Sequence, residues 1–198
     1  VRFYKPYRRE LFMVLLAACL AMTYARGACL TIAVVLVIYG LCKDWRILAG
    51  CVVVGGVILA LDPALGERLT SVFTKVDTSS EMRLAFWEST IAMIQDHPFL
   101  GIGWGSYWMV YPAYDFYLQG AAVKIVHAHN LYLNYAAEIG IAGALAFLWY
   151  FFGTMWMTLR SKATGPMAGV MLGIGLAIVS IALNGLTDDV LFNIPSSM

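Results

Sequence analysis

Charged side chains are scarce in this sequence. Only 13% of its 198 residues are Asp, Glu, Lys or Arg, whereas 61% are hydrophobic, and the mean hydropathy is +0.76. Soluble domains contain about 25% charged and roughly 45–50% apolar residues. The composition therefore argues against an ordinary soluble domain and predicts a membrane protein. With a net charge of +1, nothing in the composition suggests nucleic-acid binding.

Other familiar signals are missing as well. The four cysteines lie in or beside hydrophobic runs without metal-ligand or redox spacing, which indicates small packing residues: Cys19, Cys29, Cys42 and Cys51. The basic start "VRFYKPYRRE" continues into a hydrophobic run without the cleavage site of a signal peptide. Because the chain begins with Val and stops just after an apolar segment, we expect a fragment from the C-terminal part of a larger protein, with helices missing at both ends.

Four long apolar runs are present instead. They are Leu11–Leu41, which contains Arg26, and then Ile47–Leu61, Leu131–Leu159 and Met167–Leu186. A transmembrane helix needs about 20 apolar residues. The first run is too long for one span and short for two. We predict an all-α, polytopic transmembrane helix bundle in which residues 1–198 form a single membrane domain.

The basic residues favour two short spans in the first run, with a turn at Arg26. In that arrangement eight basic residues flanking the spans share the cytoplasmic side, as the positive-inside rule requires. They are Arg2, Lys5, Arg8, Arg9, Lys43, Arg46, Arg160 and Lys162. Residues 62–128 then form an extracytoplasmic loop. Arg26, Arg83 and the segment His127–Asn130 would all reach the outer membrane face.

The extracytoplasmic loop has a pattern of its own. Residues 80–96 predict an amphipathic helix on the membrane or the bundle, ended by Pro98. Its expected apolar stripe consists of Leu84, Trp87, Ile91 and Ile94. Alternating glycines follow in "FLGIGWGSYW" and permit a tight loop with close backbone approach. This loop lacks the spacing of a phosphate-binding fingerprint.

Two arginines are candidates for binding an anion. Arg26 interrupts a transmembrane run, where a charge costs at least about 2.5–3.5 kcal/mol, so a function is the default interpretation. The alternative is a turn residue that extends to the lipid headgroups. Arg83 lies four residues before Trp87, on which it can stack. Its alternative is a solvated helix face.

The segment "IVHAHNLYLNYAAEIGIAG" carries the other polar candidates, His127, His129 and Asn130. A histidine at a helix N-terminus feels the positive end of the dipole, which keeps a ring nitrogen neutral and available as a base near pH 7. Asn130, Asn134 and Glu138 recur every four residues and should face the protein interior. Gly140 and Gly143 would let another helix pack closely.

A metal site is a further possibility for this segment. A His-x-His pair in extended chain can bind zinc if a third ligand joins it, and Asp115 and Glu138 are available. The sequence contains no His-Glu-x-x-His motif. We therefore expect no metal and no cofactor. His97 is interpreted as a helix-end residue, and Asp188 and Asp189 as part of a solvated loop on the outer side.

Three segments together resemble the O-antigen ligase and polymerase (Wzy C-terminal domain) superfamily. "HNLYLNYAAEIGIAG" is similar to its signature of His-Asn, nine residues and Gly-x-x-Gly. "TYARGACLTIAVVL" resembles a second motif, with Ala25 where serine is common. "RLAFWESTIAMIQDHPFLGIGWGSY" resembles its loop motif. The three follow the family order and cover roughly residues 20–150.

The resemblance implies a GT-C-like, metal-independent, inverting glycosyltransferase of the inner membrane. Such an enzyme moves a glycan from undecaprenyl pyrophosphate to an acceptor hydroxyl of a glycan or glycolipid at the extracytoplasmic face, in lipopolysaccharide or other polysaccharide biosynthesis. His129 would be the catalytic base. Arg26, Arg83, Asn130 and His127 would bind substrate, and the two guanidinium groups would hold the pyrophosphate.

The motifs do not separate O-antigen ligases from O-antigen or exopolysaccharide polymerases or from protein oligosaccharyltransferases. A transporter or flippase for lipid-linked saccharides is an alternative of a different class. Transporters often contain internal repeats and midplane sites. This sequence has no detectable repeat, and its polar groups collect at one face, which favours surface chemistry.

Overall fold

The computed structural model describes residues 15, 16, 19, 26–42, 45–61, 78–117, 124–189 and 191. Within these residues all regular structure is helical and no strand occurs, as the composition predicts. The chain divides into two compact units, Val1–Thr74 and Lys75–Met198.

The first unit contains two apolar helices, α1 (Arg26–Cys42) and α2 (Trp45–Leu61). They pack against each other across Gly40, where a Cβ would lie 2.8 Å from the Cβ of Leu48. α1 begins at Arg26, the residue at which the sequence predicts a turn. The residues immediately before it lie outside the described residues, so the short span predicted there stays a prediction.

The second unit contains α3 (Thr78–Asp96), the single turn α4 (Tyr107–Val110) with a 3₁₀ turn (Tyr111–Ala113), α5 (Leu131–Leu159) and α6 (Pro166–Asn184). α3 starts two residues earlier than predicted and ends just before His97 and Pro98, as expected from proline chemistry. α5 and α6 are long and apolar enough to cross a bilayer.

The face of α3 that packs inside the protein is not its predicted apolar stripe, and contact of that stripe with the membrane stays a prediction. Leu84 and Ile91 are exposed, and the buried face consists of Ala85, Phe86, Ser89, Thr90 and Met93. Small residues on that face permit close packing, and the Thr90 hydroxyl is hydrogen-bonded to the Phe86 carbonyl and to the Tyr107 hydroxyl. A hydroxyl group satisfied as that of Thr90 is can be buried at little cost, which apolar periodicity alone does not register.

α5 is broken at Gly140, where φ is 73° and ψ is 169°. The Tyr135 and Phe147 rings stack with centroids 4.0 Å apart. In a straight helix these two residues would be separated by about 18 Å along the axis. The part before Gly140 therefore folds back towards the part after it, and Ile141–Leu159, about 28 Å long, remains as the segment able to span a bilayer.

The contacts of α6 lead to the same conclusion. Gly175 packs against Leu159, and Gly185 packs against Leu131, at the two ends of α5. These ends would be about 42 Å apart in a straight helix, whereas Gly175 and Gly185 are only about 15 Å apart along α6. α5 can touch both glycines only because it is bent.

The glycine-rich loop stabilises the break. The Ile141 amide donates to the Pro98 carbonyl, and the Ala137 and Glu138 carbonyls accept from the amides of Ile102 and Gly103, at 2.8, 2.8 and 2.9 Å. The backbone groups that leave the helix thus find partners in the loop, as buried backbone groups must. The expected partner of Gly140 was another helix, and its actual partner is this loop, whose backbone at Phe99 lies where a Cβ on Gly140 would be.

Candidate active site

Asn130 is the N-cap residue of α5. Its Oδ1 accepts from the Leu133 amide at 3.0 Å, and its Nδ2 donates to the Leu186 carbonyl at 3.1 Å. The Leu131 amide donates to the Gly185 carbonyl at 2.8 Å. The start of α5 is therefore tied to the end of α6. Capping by Asn satisfies amides that a helix start leaves unpaired.

The predicted polar stripe does face the protein interior. Asn130, Asn134 and Glu138 are all buried. Asn134 Oδ1 accepts from the Ala128 amide at 3.1 Å, and Glu138 Oε1 accepts from the Tyr107 amide at 3.4 Å. Through these hydrogen bonds, Asn134 fixes the chain just before α5 and Glu138 fixes the start of α4.

His129 adopts an unusual backbone conformation. Its φ of 50° makes it the one residue other than glycine with a positive φ among the described residues. Such conformations cost of order 1–3 kcal/mol and persist where the surroundings fix them. Here the Ala128–Asn134 and Leu131–Gly185 hydrogen bonds flank the residue on both sides.

His129 forms a pair with Asp188. Its Nδ1 lies 3.3 Å from Asp188 Oδ1, and that oxygen also accepts from the Asp189 amide at 2.8 Å. Phe86 of α3 stacks on the imidazole with ring centroids 5.7 Å apart and planes inclined by 22°. The side chains of His129 and Asp188 keep 36% and 50% of their exposure, so the pair opens to solvent on one side.

His127 lies beside this pair and is buried. Its Nδ1 accepts from the His129 amide at 3.1 Å, and the two imidazole centroids are 4.2 Å apart. Burial lowers the pKa of His127 to about 4, with a further contribution from His129, so that His127 is neutral at pH 7. The hydrogen bond from His129 lowers the pKa of Asp188, which keeps this carboxylate ionised.

Arg83 belongs to α3, the helix that supplies Phe86. It lies three residues, about one helical turn, before Phe86, whose ring covers His129. Arg83 is half-buried, and its Nε is shielded from solvent without a hydrogen-bond acceptor among the described residues. Arg83 is therefore not fully solvated, and its role in binding substrate stays a prediction. A buried donor without a partner is costly, and an anionic oxygen would satisfy it.

For Arg26, the structure describes only the backbone. This residue begins α1 in the first unit, and its side chain lies outside the described residues. Its predicted approach to His129 stays a prediction.

The sequence analysis did not predict a role for Asp188 in the site. The two aspartates after the last apolar run were interpreted as a solvated loop, yet Asp188 pairs with His129 and Asp189 is 1% exposed. Asp115 and Glu138, the expected third ligands of a metal, are engaged elsewhere, with Tyr117 and Tyr107. The available signal was the predicted topology, which placed the end of the last apolar run on the same side as His129.

Chemically, the cluster resembles an acid–base dyad. When Nδ1 of an imidazole donates to a carboxylate, Nε2 carries the lone pair and can accept a proton. His129 is open to solvent on one side, so that a hydroxyl group can approach it.

A match to a known protein family covers His129 but ends before Asp188. The chain matches the family described as O-antigen ligase, the Wzy C-terminal family, over residues 11–148, and this range includes Arg26, Arg83, the glycine-rich loop and the His127–Asn130 segment. No curated protein matches the chain. The match extends over more than half of the sequence and identifies the chain as a member of the O-antigen ligase family of glycosyltransferase-like membrane enzymes.

Proposed function

We propose that this protein transfers a glycan from undecaprenyl pyrophosphate to the hydroxyl of an acceptor glycan or glycolipid at the outer face of the inner membrane. The observation that carries the proposal is the His129–Asp188 pair, in which Nδ1 and Oδ1 are 3.3 Å apart and which is open to solvent on one side. His129 directly precedes Asn130, the buried N-cap residue of α5. Family membership supports the reaction class. It lends no support to a flippase or transporter.

In the proposed reaction His129 is the general base. Asp188 accepts from Nδ1–H, and Nε2 takes the proton of the acceptor hydroxyl as its oxygen attacks the anomeric carbon. The bond between that carbon and the pyrophosphate oxygen breaks, and undecaprenyl pyrophosphate leaves with the electron pair. A direct attack of this kind inverts the anomeric configuration. General-base catalysis contributes about 10²–10⁴ to such a rate.

The pyrophosphate gains negative charge as its bond to the sugar breaks. Guanidinium groups bind phosphate oxygens in bidentate fashion and remain charged. Arg83, with its buried and unpaired Nε, is one proposed ligand, and Arg26 is the other. Two arginines supply the positive charge that a divalent cation supplies elsewhere, so we propose that the reaction requires no metal. One preorganised donor of this kind is worth about 3 kcal/mol in the barrier.

His127 and Asn130 act on the substrate side of the same site in this proposal. The buried, neutral His127 supports the backbone of His129 through its Nδ1 and presents its other ring nitrogen to the acceptor sugar. Asn130 keeps the base at the start of α5.

The decisive experiment is a transfer assay with the purified full-length protein and a lipid-pyrophosphate glycan as donor. Three acceptors are offered separately: a lipid A-core glycolipid, a second lipid-linked glycan, and a protein. Transfer to the first assigns a ligase, to the second a polymerase, and to the third an oligosaccharyltransferase. Absence of transfer to all three, with intact folded protein, would refute the proposed function.

A further inference from the structure

We propose that His127, His129 and Asp188 also form a binding site for one Zn²⁺ ion, and that this ion reversibly inhibits the protein by occupying the imidazole of His129. The inhibition rests on the proposed function, whereas the binding of zinc stands on the geometry alone. Zinc would act here as an inhibitor of a site whose chemistry uses no metal.

The donor set suits zinc. Two imidazole nitrogens and one carboxylate oxygen are typical zinc ligands, with bonds of about 2.0–2.2 Å. One ligand atom from each of the three side chains lies within 4.8 Å of the other two. The 3.3 Å between His129 Nδ1 and Asp188 Oδ1 is close to the edge, about 3.4 Å, of a tetrahedron with such bonds. A tetrahedral site also requires the coordinating nitrogen of His127 to move from within 4.8 Å of the other two ligand atoms to about 3.4 Å from each.

The surroundings hold these ligands in place. Phe86 stacks on the ring of His129, and the Asp189 amide donates to the coordinating oxygen of Asp188 at 2.8 Å. Partners of this kind orient metal ligands and raise metal affinity. The partial exposure of His129 and Asp188 leaves room for a water molecule as the fourth ligand and gives the ion a path of entry.

Binding of the ion prevents the proposed proton transfer. A ring nitrogen bonded to zinc has committed its lone pair, and the Nδ1–H donated to Asp188 is lost if Nδ1 is the atom that binds. The bound ion and its water would also occupy the space that the acceptor hydroxyl needs.

Cobalt(II) provides a direct test of the site, because tetrahedral Co²⁺ has an intense visible absorption that octahedral aqueous Co²⁺ lacks. We expect this absorption when Co²⁺ is added to the purified, metal-free full-length protein, and its loss when Zn²⁺ displaces the cobalt. A spectrum of aqueous Co²⁺ alone would overturn the proposal.

Variants localise the site. His127→Ala, His129→Ala and Asp188→Asn should each weaken zinc binding by more than the roughly 10–100-fold that loss of an outer-shell partner costs. His97→Ala is the matched control, because His97 is the third histidine of the chain and lies outside the cluster. Size-exclusion profiles and circular dichroism identify any variant that misfolds, and each of the three variants tests the site independently. Unchanged affinity in folded Asp188→Asn would refute the assignment.

The inhibition is measured separately in the transfer assay. Zinc should reduce transfer by the wild type and by His97→Ala, and a chelator should restore it. If the cobalt spectrum appears but zinc leaves transfer unchanged, the inhibitory role is refuted. If metal-free protein transfers no glycan while the cobalt spectrum appears, the proposed function fails and the metal site stands.

Discussion

At the scale of single residues, the most informative side chain is His129. It combines a positive φ, a carboxylate partner at 3.3 Å and an open side. The sequence could predict a histidine at a helix N-terminus and the resemblance could predict its role. The carboxylate partner lies 59 positions away along the chain, and nothing in local periodicity connects residues so distant in sequence.

Replacing His129 with Ala should lower glycan transfer by about 10²–10⁴, because the acceptor hydroxyl loses its base. Expression and membrane insertion should be unaffected, since the side chain is partly exposed. The measurement is initial transfer rate in reconstituted membranes, with His97→Ala as the control. Wild-type turnover in His129→Ala would remove the residue from the mechanism.

The two arginines should tolerate lysine poorly. Arg26→Lys and Arg83→Lys keep the charge but lose bidentate geometry, and we expect transfer to fall at least about 10-fold in each, a cost of roughly 1.4 kcal/mol. Arg160→Lys is the matched control, because Arg160 lies at the other end of α5 over the Trp156 ring. Equal rates in all three variants would exclude a specific role for the guanidinium groups.

His127 should make the stability of the protein depend on pH. Because burial lowers its pKa to about 4 in the folded state, the unfolded chain takes up this proton first as pH falls below about 6.5. Stability should therefore decrease between pH 6.5 and pH 4, by roughly 3 kcal/mol in all. His129 and Asp188 face the same imidazole and act on it in opposite directions.

Thermal unfolding followed by intrinsic tryptophan fluorescence measures this dependence. His127→Gln, which carries no titrating group, should flatten the pH profile in that window. A variant profile as steep as that of the wild type would show that the acid sensitivity comes from other groups.

At the scale of elements, the broken α5 is the feature that the sequence did not predict. The run Leu131–Leu159 is uniformly apolar apart from its polar stripe, and apolar runs are interpreted as continuous spans. Gly140 marked the position, but glycine occurs in straight transmembrane helices as well. The break depends on amides of a loop some forty residues earlier, a contact that no local pattern encodes.

Replacing Gly140 with Ala should destabilise the protein by at least about 1–3 kcal/mol, because its φ is 73° and its Cβ would meet the backbone of Phe99. Gly153→Ala in the same helix is the control, since a Cβ there meets nothing within 4 Å. It should be neutral or slightly stabilising. Equal melting temperatures of the two variants would contradict the described break.

The boundaries of α3 were predicted well, whereas the face that packs against the rest of the protein could not be identified from the sequence. Proline chemistry determines where the helix ends, and this is a local property. The choice between two faces depends on which one fits a neighbour, and here Ser89 and Thr90 are fully buried while Leu84 is exposed. Only the tertiary structure supplies that information.

At the scale of the whole molecule, the predicted topology can be tested by cysteine labelling. In a full-length protein whose native cysteines are replaced, Ser161→Cys and Tyr4→Cys should react only from the cytoplasmic side. Ala113→Cys should react only from outside, because residues 62–128 form the predicted extracytoplasmic loop.

This labelling pattern separates the two interpretations of the first apolar run. If Leu11–Leu41 makes two spans, the N-terminal basic residues lie on the side of Arg160. Labelling of Tyr4→Cys together with Ala113→Cys would indicate one span and would place Arg26 away from the outer face.

At the break near Gly140, backbone groups of α5 bond to the glycine-rich loop instead of to their own helix, and this has a consequence for the biosynthesis of the protein. Residues 98–103 are synthesised before α5, and the Ile141 amide has Pro98 as its partner only once both segments have met. During insertion, the nascent Leu131–Leu159 segment can satisfy its own backbone as an unbroken helix. We therefore expect the bend, and with it the final position of His129, to form after the segment has left the translocation machinery, so that maturation of the enzyme is a late step of its biogenesis.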